Sequence, residues 1–121
     1  MAKTPRAPPA NFVVMTATIP AGETISSAVN IDHDQLLSVW VDDWTTAHLT
    51  FQVSTDGITF YDLFYNIGSR EVNILLTANS ACILSYDWRN SICWMRARSG
   101  IRDEPVPQEA DRTISFEVMI A

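Results

Sequence analysis

Leu49-Thr-Phe-Gln-Val-Ser-Thr-Asp-Gly-Ile-Thr-Phe-Tyr-Asp-Leu63 is the stretch whose reading decides the fold. Apolar residues alternate through Leu49, Phe51 and Val53, stop at Ser54-Thr-Asp-Gly57, and resume through Ile58, Phe60 and Leu63. A period of two places one set of side chains on one face, and Asp-Gly provides the positive-φ corner of a hairpin. Strands over 48–54 and 58–65 are expected, with the apolar set, Ile58 included, on one buried face. No segment carries a helical period, so the whole chain reads as all-β.

Working outward, further strands are expected over 12–19, 24–31, 36–41, 71–76, 81–86, 92–98 and 113–120. Turns fall at Pro20-Ala-Gly-Glu23, Asp32-His-Asp34 and Asn66-Ile-Gly-Ser69. Short strands separated by turn signals every 8–12 residues indicate a sandwich or barrel. The segments 81–86 and 92–98 are expected to pair, turning near Asp87-Trp-Arg-Asn90. The polar stretch 99–111 reads as a crossover between two sheets, with a functional loop as the competing reading.

The first ten residues hold three of the six prolines and little that would build a core. Residues 1–11 are therefore expected to form an extended arm, and 12–121 one antiparallel β-sandwich domain, jelly-roll-like.

With 121 residues, one core is expected. Charged residues make up only 18% of the chain, against roughly 25% in typical domains. Twelve aromatic residues accompany that shortage, so some uncharged surface must face outward, as in an oligomer or larger assembly. The net charge of −6 and the lack of a basic stripe argue against nucleic acid. No apolar run is long enough for a membrane helix, and the N-terminus lacks the apolar core of a secretory signal. Synthesis and retention in a reducing cytoplasm are expected, with Cys82 and Cys93 as buried free thiols rather than a cross-strand disulfide.

Chemistry-bearing groupings are sparse. Asp32-His33-Asp34 is a polar turn whose neighbours point apart, and His48 stands alone. No nucleophile triad, phosphate loop or supported carboxylate pair is present, so no catalytic, cofactor or metal residue is assigned. Trp40 and Trp94 sit in apolar strands and read as core or interface. Trp44 and Trp88 lie in turn-like surroundings, where they either wedge the sandwich end or stack on a sugar or protein partner.

Three segments together resemble a known group. They are Ala17-Thr-Ile-Pro-Ala-Gly-Glu-Thr-Ile25, Trp44-Thr-Thr-Ala-His48 leading into the Asp-Gly hairpin, and Arg98-Ser-Gly100 followed by Pro105-Val-Pro-Gln-Glu-Ala-Asp-Arg112. In that order they are similar to small β-sandwich structural proteins of tailed bacteriophages and prophages. The resemblance implies a non-enzymatic virion component, foremost a capsid decoration or cement protein bound to the major capsid protein, with a homotrimer favoured. A tail, neck or fibre-base component is the alternative within that group. A carbohydrate-binding module contacting the host surface is the alternative from another class. On this reading residues 1–16 anchor the protein. Expected contacts are Pro5, Arg6, Pro8 and Pro9 in the arm, Trp44 and Trp88 at exposed turns, and Arg102, Asp103, Glu104 and Arg112 in the long loop.

Overall fold

The protein is described here by a computed structural model covering residues 11–66, 68–84 and 92–120. Strands β1 (Phe12–Ile19), β3 (Gln35–Val41), β7 (Ser80–Ile83) and β10 (Arg112–Met119) form a first sheet in the order β1-β10-β3-β7. The second sheet contains β2 (Val29–Asn30), β8 (Trp94–Ile101), β4 (Ala47–Ser54) and β5 (Tyr61–Asp62) in that order. Strand β6 (Asn73–Leu76) also pairs with β4, and β9 (Glu104–Pro105) pairs with β8. Every pairing among the described residues is antiparallel. The order β1-β10-β3-β7 facing β2-β8-β4 with β5 and β6 beyond it is the double Greek-key order of a jelly roll, so the expected fold class is the observed one.

The core lies between the sheets. Ile19, Leu36, Val39, Ile114 and Phe116 face Leu49, Phe51, Met95 and Ala97, all buried. Each large side chain of this kind contributes about 1.5–3 kcal/mol when removed from water. The first, third and last strands follow the sequence expectation to within a residue or so. Strand β10 is central in its sheet, between β1 and β3, so its edges are occupied.

Several expectations need correction. The strand expected over 24–31 shrinks to Val29–Asn30 and an isolated bridge between Ile25 and Arg98. Serines replace the ladder there: the Ala97 amide donates to Ser26 Oγ, and the Thr18 amide to Ser27 Oγ. The second strand of the central hairpin is also short, since Gln52 pairs with Asp62 and Val53 with Tyr61. The intervening loop is wide because the Asp56 carboxylate accepts from the Ile58 and Thr59 amides. Gly57 lies against the Trp94 ring, and Ile58 is 84% exposed instead of buried. After β5 the chain leaves the sheet as a small excursion closed by the Phe64–Glu71 bridge, then returns as β6.

The expected pairing of 81–86 with 92–98 does not form. Strand β7 pairs with β3 and β8 with β4, in opposite sheets. Buried Leu84 and Ile92 pin the two ends of this crossing to the core. Cys82 and Cys93 are free, and both are half-buried rather than buried. Residues 12–16 belong to β1, so an anchoring arm of 1–16 is too long. The arm proper lies outside the described residues.

Candidate protein-contact surface

The outer face of the first sheet has an unusual composition. Strands β1, β3 and β7 contain no charged residue, and β10 contributes only Glu117 to this face, its Arg112 having the parity of the buried Ile114 and Phe116. The pairing register lays cross-strand rows over this face. One row runs Val14, Glu117, Ser38, Ile83, and the next runs Thr16, Ser115, Trp40, Ala81. Val14 is 67% exposed, Trp40 52% and Ile83 85%. The Trp40 indole N–H donates to Ser38 Oγ at 2.8 Å, which holds the ring over the sheet. Large apolar side chains thus stand in water on a nearly charge-free sheet, a composition suited to contact with another protein.

The outer face of the second sheet is the opposite case. Arg98 projects outward there, yet only 5% of it is exposed. It donates to Thr50 Oγ1 at 3.0 Å, to Asp62 Oδ1 at 2.7 Å and to Glu71 Oε2. Glu71 also accepts from the Arg102 amide. Gln52 donates to Asp62 and accepts from Arg96, whose guanidinium lies 4.2 Å from the Phe60 ring centre. Burial opposes the charge on Asp62, but hydrogen bonds from Arg98 and Gln52 and the charges of Arg98 and Arg102 hold its carboxyl below the usual range. This network fastens the 63–72 excursion onto the sheet.

The Arg98-Ser-Gly100 segment is thereby explained structurally. Ser99 accepts from the buried Gln108 side chain at 2.8 Å. Gly100 has φ +93, and a Cβ there would lie 2.5 Å from the Glu104 carbonyl oxygen. Only glycine permits that turn. Strand β8 therefore runs on to Ile101 and folds back as β9, so the stretch 99–111 is less of a free loop than expected. From β9 the chain crosses to β10 in the first sheet, so the crossover reading holds.

The expected contact residues separate into groups. Trp44 is only 5% exposed and its Nε1–H donates to the Ala47 carbonyl at 3.3 Å. It wedges the sandwich end, and its ring cannot stack on an external sugar or protein. Arg112 is tied to Gln108 Oε1 at 3.1 Å and Thr45 Oγ1 at 3.3 Å, a structural role. Arg102, Asp103 and Glu104 are exposed around the β8–β9 turn. Pro5, Arg6, Pro8, Pro9 and Trp88 lie outside the described residues.

A cleft of about 470 Å³ opens where β4 and β5 meet the segments around His33 and Cys93, lined chiefly by Tyr61, Leu63, Phe64 and Tyr65. Beside it, the Asp56 carboxyl is lowered from its ordinary 3.8 to about 2, mainly by hydrogen bonds from the Thr59 and Ile58 amides and the Ser54 hydroxyl. Among the described residues no group of three or more His, Cys, Asp or Glu is placed to hold a metal. No described helix is long and apolar enough to cross a membrane.

Sequence reading named neither Val14 nor Ile83 as a contact and left Trp40 between core and interface. The available signal was apolar residues at both parities, as in Phe12-Val-Val-Met15 and Leu36-Leu-Ser-Val-Trp-Val41. When the core takes one parity of such a strand, apolar side chains of the other parity are left on the outer face.

Comparison with known protein families gives no match, and comparison with curated proteins likewise gives none. Among solved structures the chain is similar to a Yersinia pseudotuberculosis-derived mitogen, with 8% identity and a TM-score of 0.40 over 92% of this chain and 86% of that one. A likeness of that size carries no argument about function.

Proposed function

We propose that this protein is a non-enzymatic structural subunit of a tailed-phage virion, foremost a capsid decoration protein. The observation that carries the reading is the outer face of the first sheet, where Val14, Trp40 and Ile83 stand in water on three strands without charge. Such a face suits a lasting seat against another protein. The ordered resemblance of the 17–25, 44–63 and 98–112 segments to phage structural proteins supplies the setting. In that setting each copy makes a modest contact, and copies linked to one another hold the lattice by their sum.

The test is the number of copies per major capsid protein in purified virions, measured for the unaltered chain and for Trp40→Ser. Decoration requires hundreds of copies, near one per capsid subunit or a simple fraction of it, and fewer for the variant. A count of a few to a few tens moves the protein to the tail, neck or fibre base. Absence from virions overturns the assignment.

A further inference from the structure

The two edges of the first sheet fit one another. Strand β1 is one edge and β7 the other. Neither carries a charged residue or a proline, the devices by which edge strands normally resist pairing.

The direction of the free backbone groups follows from the bonds already made. The Thr18 amide donates to Ser27 Oγ and its carbonyl accepts from the Ser27 amide, so both groups of Thr18 point away from β10. At a period of two, both groups of Thr16 and Val14 point the same way. On β7 the Leu84 amide donates to the Leu37 carbonyl, towards β3. Ala81 and Ile83 therefore turn their amides and carbonyls to the open side. Apart from a 3.5 Å contact of the Cys82 thiol with the Ile83 carbonyl, the outward groups of Val14, Thr16, Ala81 and Ile83 make no hydrogen bond among the described residues.

The strand directions also fit. Strands β1 and β3 run one way, β10 and β7 the other. A second copy continuing the sheet beyond β7 would present its β1 antiparallel to it. Extending the row Val14, Glu117, Ser38, Ile83 places the next copy's Val14 opposite Ile83. Extending the row Thr16, Ser115, Trp40, Ala81 places the next copy's Thr16 opposite Ala81. These are the same residues whose backbone groups point outward, so side-chain register and hydrogen-bond parity agree. Each such pair exchanges two N–H···O bonds in an antiparallel ladder. The pairing also joins Ile83 to Val14, the two most exposed large apolar side chains of this face, as cross-strand neighbours.

We propose that copies of this chain associate head to tail, β7 of one pairing antiparallel with β1 of the next, in the register Ile83–Val14 and Ala81–Thr16. The matching register of the two edges selects a second copy of this chain as the occupant. A chain of net charge −6 repels its own copies, least where edges are neutral. The interface is heterologous, so it builds rings or filaments rather than two-fold dimers. It leaves the outer face free, and its failure would not touch the virion assignment.

The test uses the full chain in solution, with mass read by sedimentation equilibrium and folding by circular dichroism. Val14→Lys and Ile83→Lys each place a charge on one edge at an exposed position. The unaltered chain is expected above the mass of one chain, and each variant alone at that mass. An equimolar mixture of the two variants is expected to form a two-chain species, because Val14→Lys retains an intact β7 and Ile83→Lys an intact β1. Should Val14→Lys fail to fold, Thr16→Pro removes only an outward-pointing amide from the same edge. An unaltered chain that stays single at millimolar concentration overturns the proposal, as does a mixture that stays monomeric. Either variant remaining dimeric alone also overturns it, since that indicates two-fold pairing.

Discussion

Replacing Arg98 with Met tests whether the covered ion network holds the outer layer of the second sheet. The side chain keeps its length and its packing against the sheet but loses every donor. Thr50, Asp62 and Glu71 then lose the contacts they make with the guanidinium. Removing one partner of a buried ion pair costs about 3–5 kcal/mol. The Asp62 and Glu71 side chains are 21% and 12% exposed, so water relieves part of that, and a loss of about 3 kcal/mol is expected. Domains somewhat smaller and larger than this one lose roughly 4–8 and 2–4 °C per kcal/mol respectively. The melting temperature should therefore fall by about 10–15 °C. Urea unfolding followed by tryptophan fluorescence measures the free energy, and circular dichroism the melting. Adding Asp62→Asn and Glu71→Gln to Arg98→Met should recover part of the loss, because the penalty lies in carboxylates left without a cation. A loss below about 1 kcal/mol, or no recovery in the triple variant, would refute the reasoning.

Two other perturbations read different parts of the argument. Gly100→Ala forces a Cβ to within 2.5 Å of the Glu104 carbonyl oxygen and 2.6 Å of the Val106 amide nitrogen, whereas Gly22, at φ +80, has open space around the same position. Gly22→Ala should cost about 1–2 kcal/mol from its φ alone and Gly100→Ala clearly more; equal losses in urea unfolding would rule out the crowding argument. Asp56 has a folded pKa depressed from 3.8 to about 2, so its stabilising contribution is fully present above the ordinary value and is lost as pH falls through the lowered one. Acid unfolding of Asp56→Asn should accordingly be shallower than that of the unaltered chain between about pH 4 and 2, and superimposable curves would contradict the assignment.

The amino-acid sequence by itself determined the all-β class, the first, third and last strands and the crossover from β8 to β10. Those features follow from side-chain period and turn chemistry, which are local. Phe12 to Ile19 reads as a strand from its own residues and is one. Reading failed where a distant partner decides. Residues 24–28 have strand composition, but Ser26 and Ser27 substitute their hydroxyls for ladder bonds with residues far along the chain. Residues 81–83 are apolar enough for several partners, and only the closed core assigns them to β3 rather than β8. Trp44 looks exposed beside Asp42 and Asp43, yet it is buried because the sandwich end closes over it. Arg98 announces nothing in isolation; its partners Asp62 and Glu71 arrive from another strand and from the excursion. The exposed apolar face of the first sheet has the same origin. Apolar residues at both parities of β1 and β3 were visible in the chain. Which parity faces the core, and that Val14, Trp40 and Ile83 are left in water, was decided only when the two sheets packed, because burial is a property of the whole assembly of strands and not of any one of them.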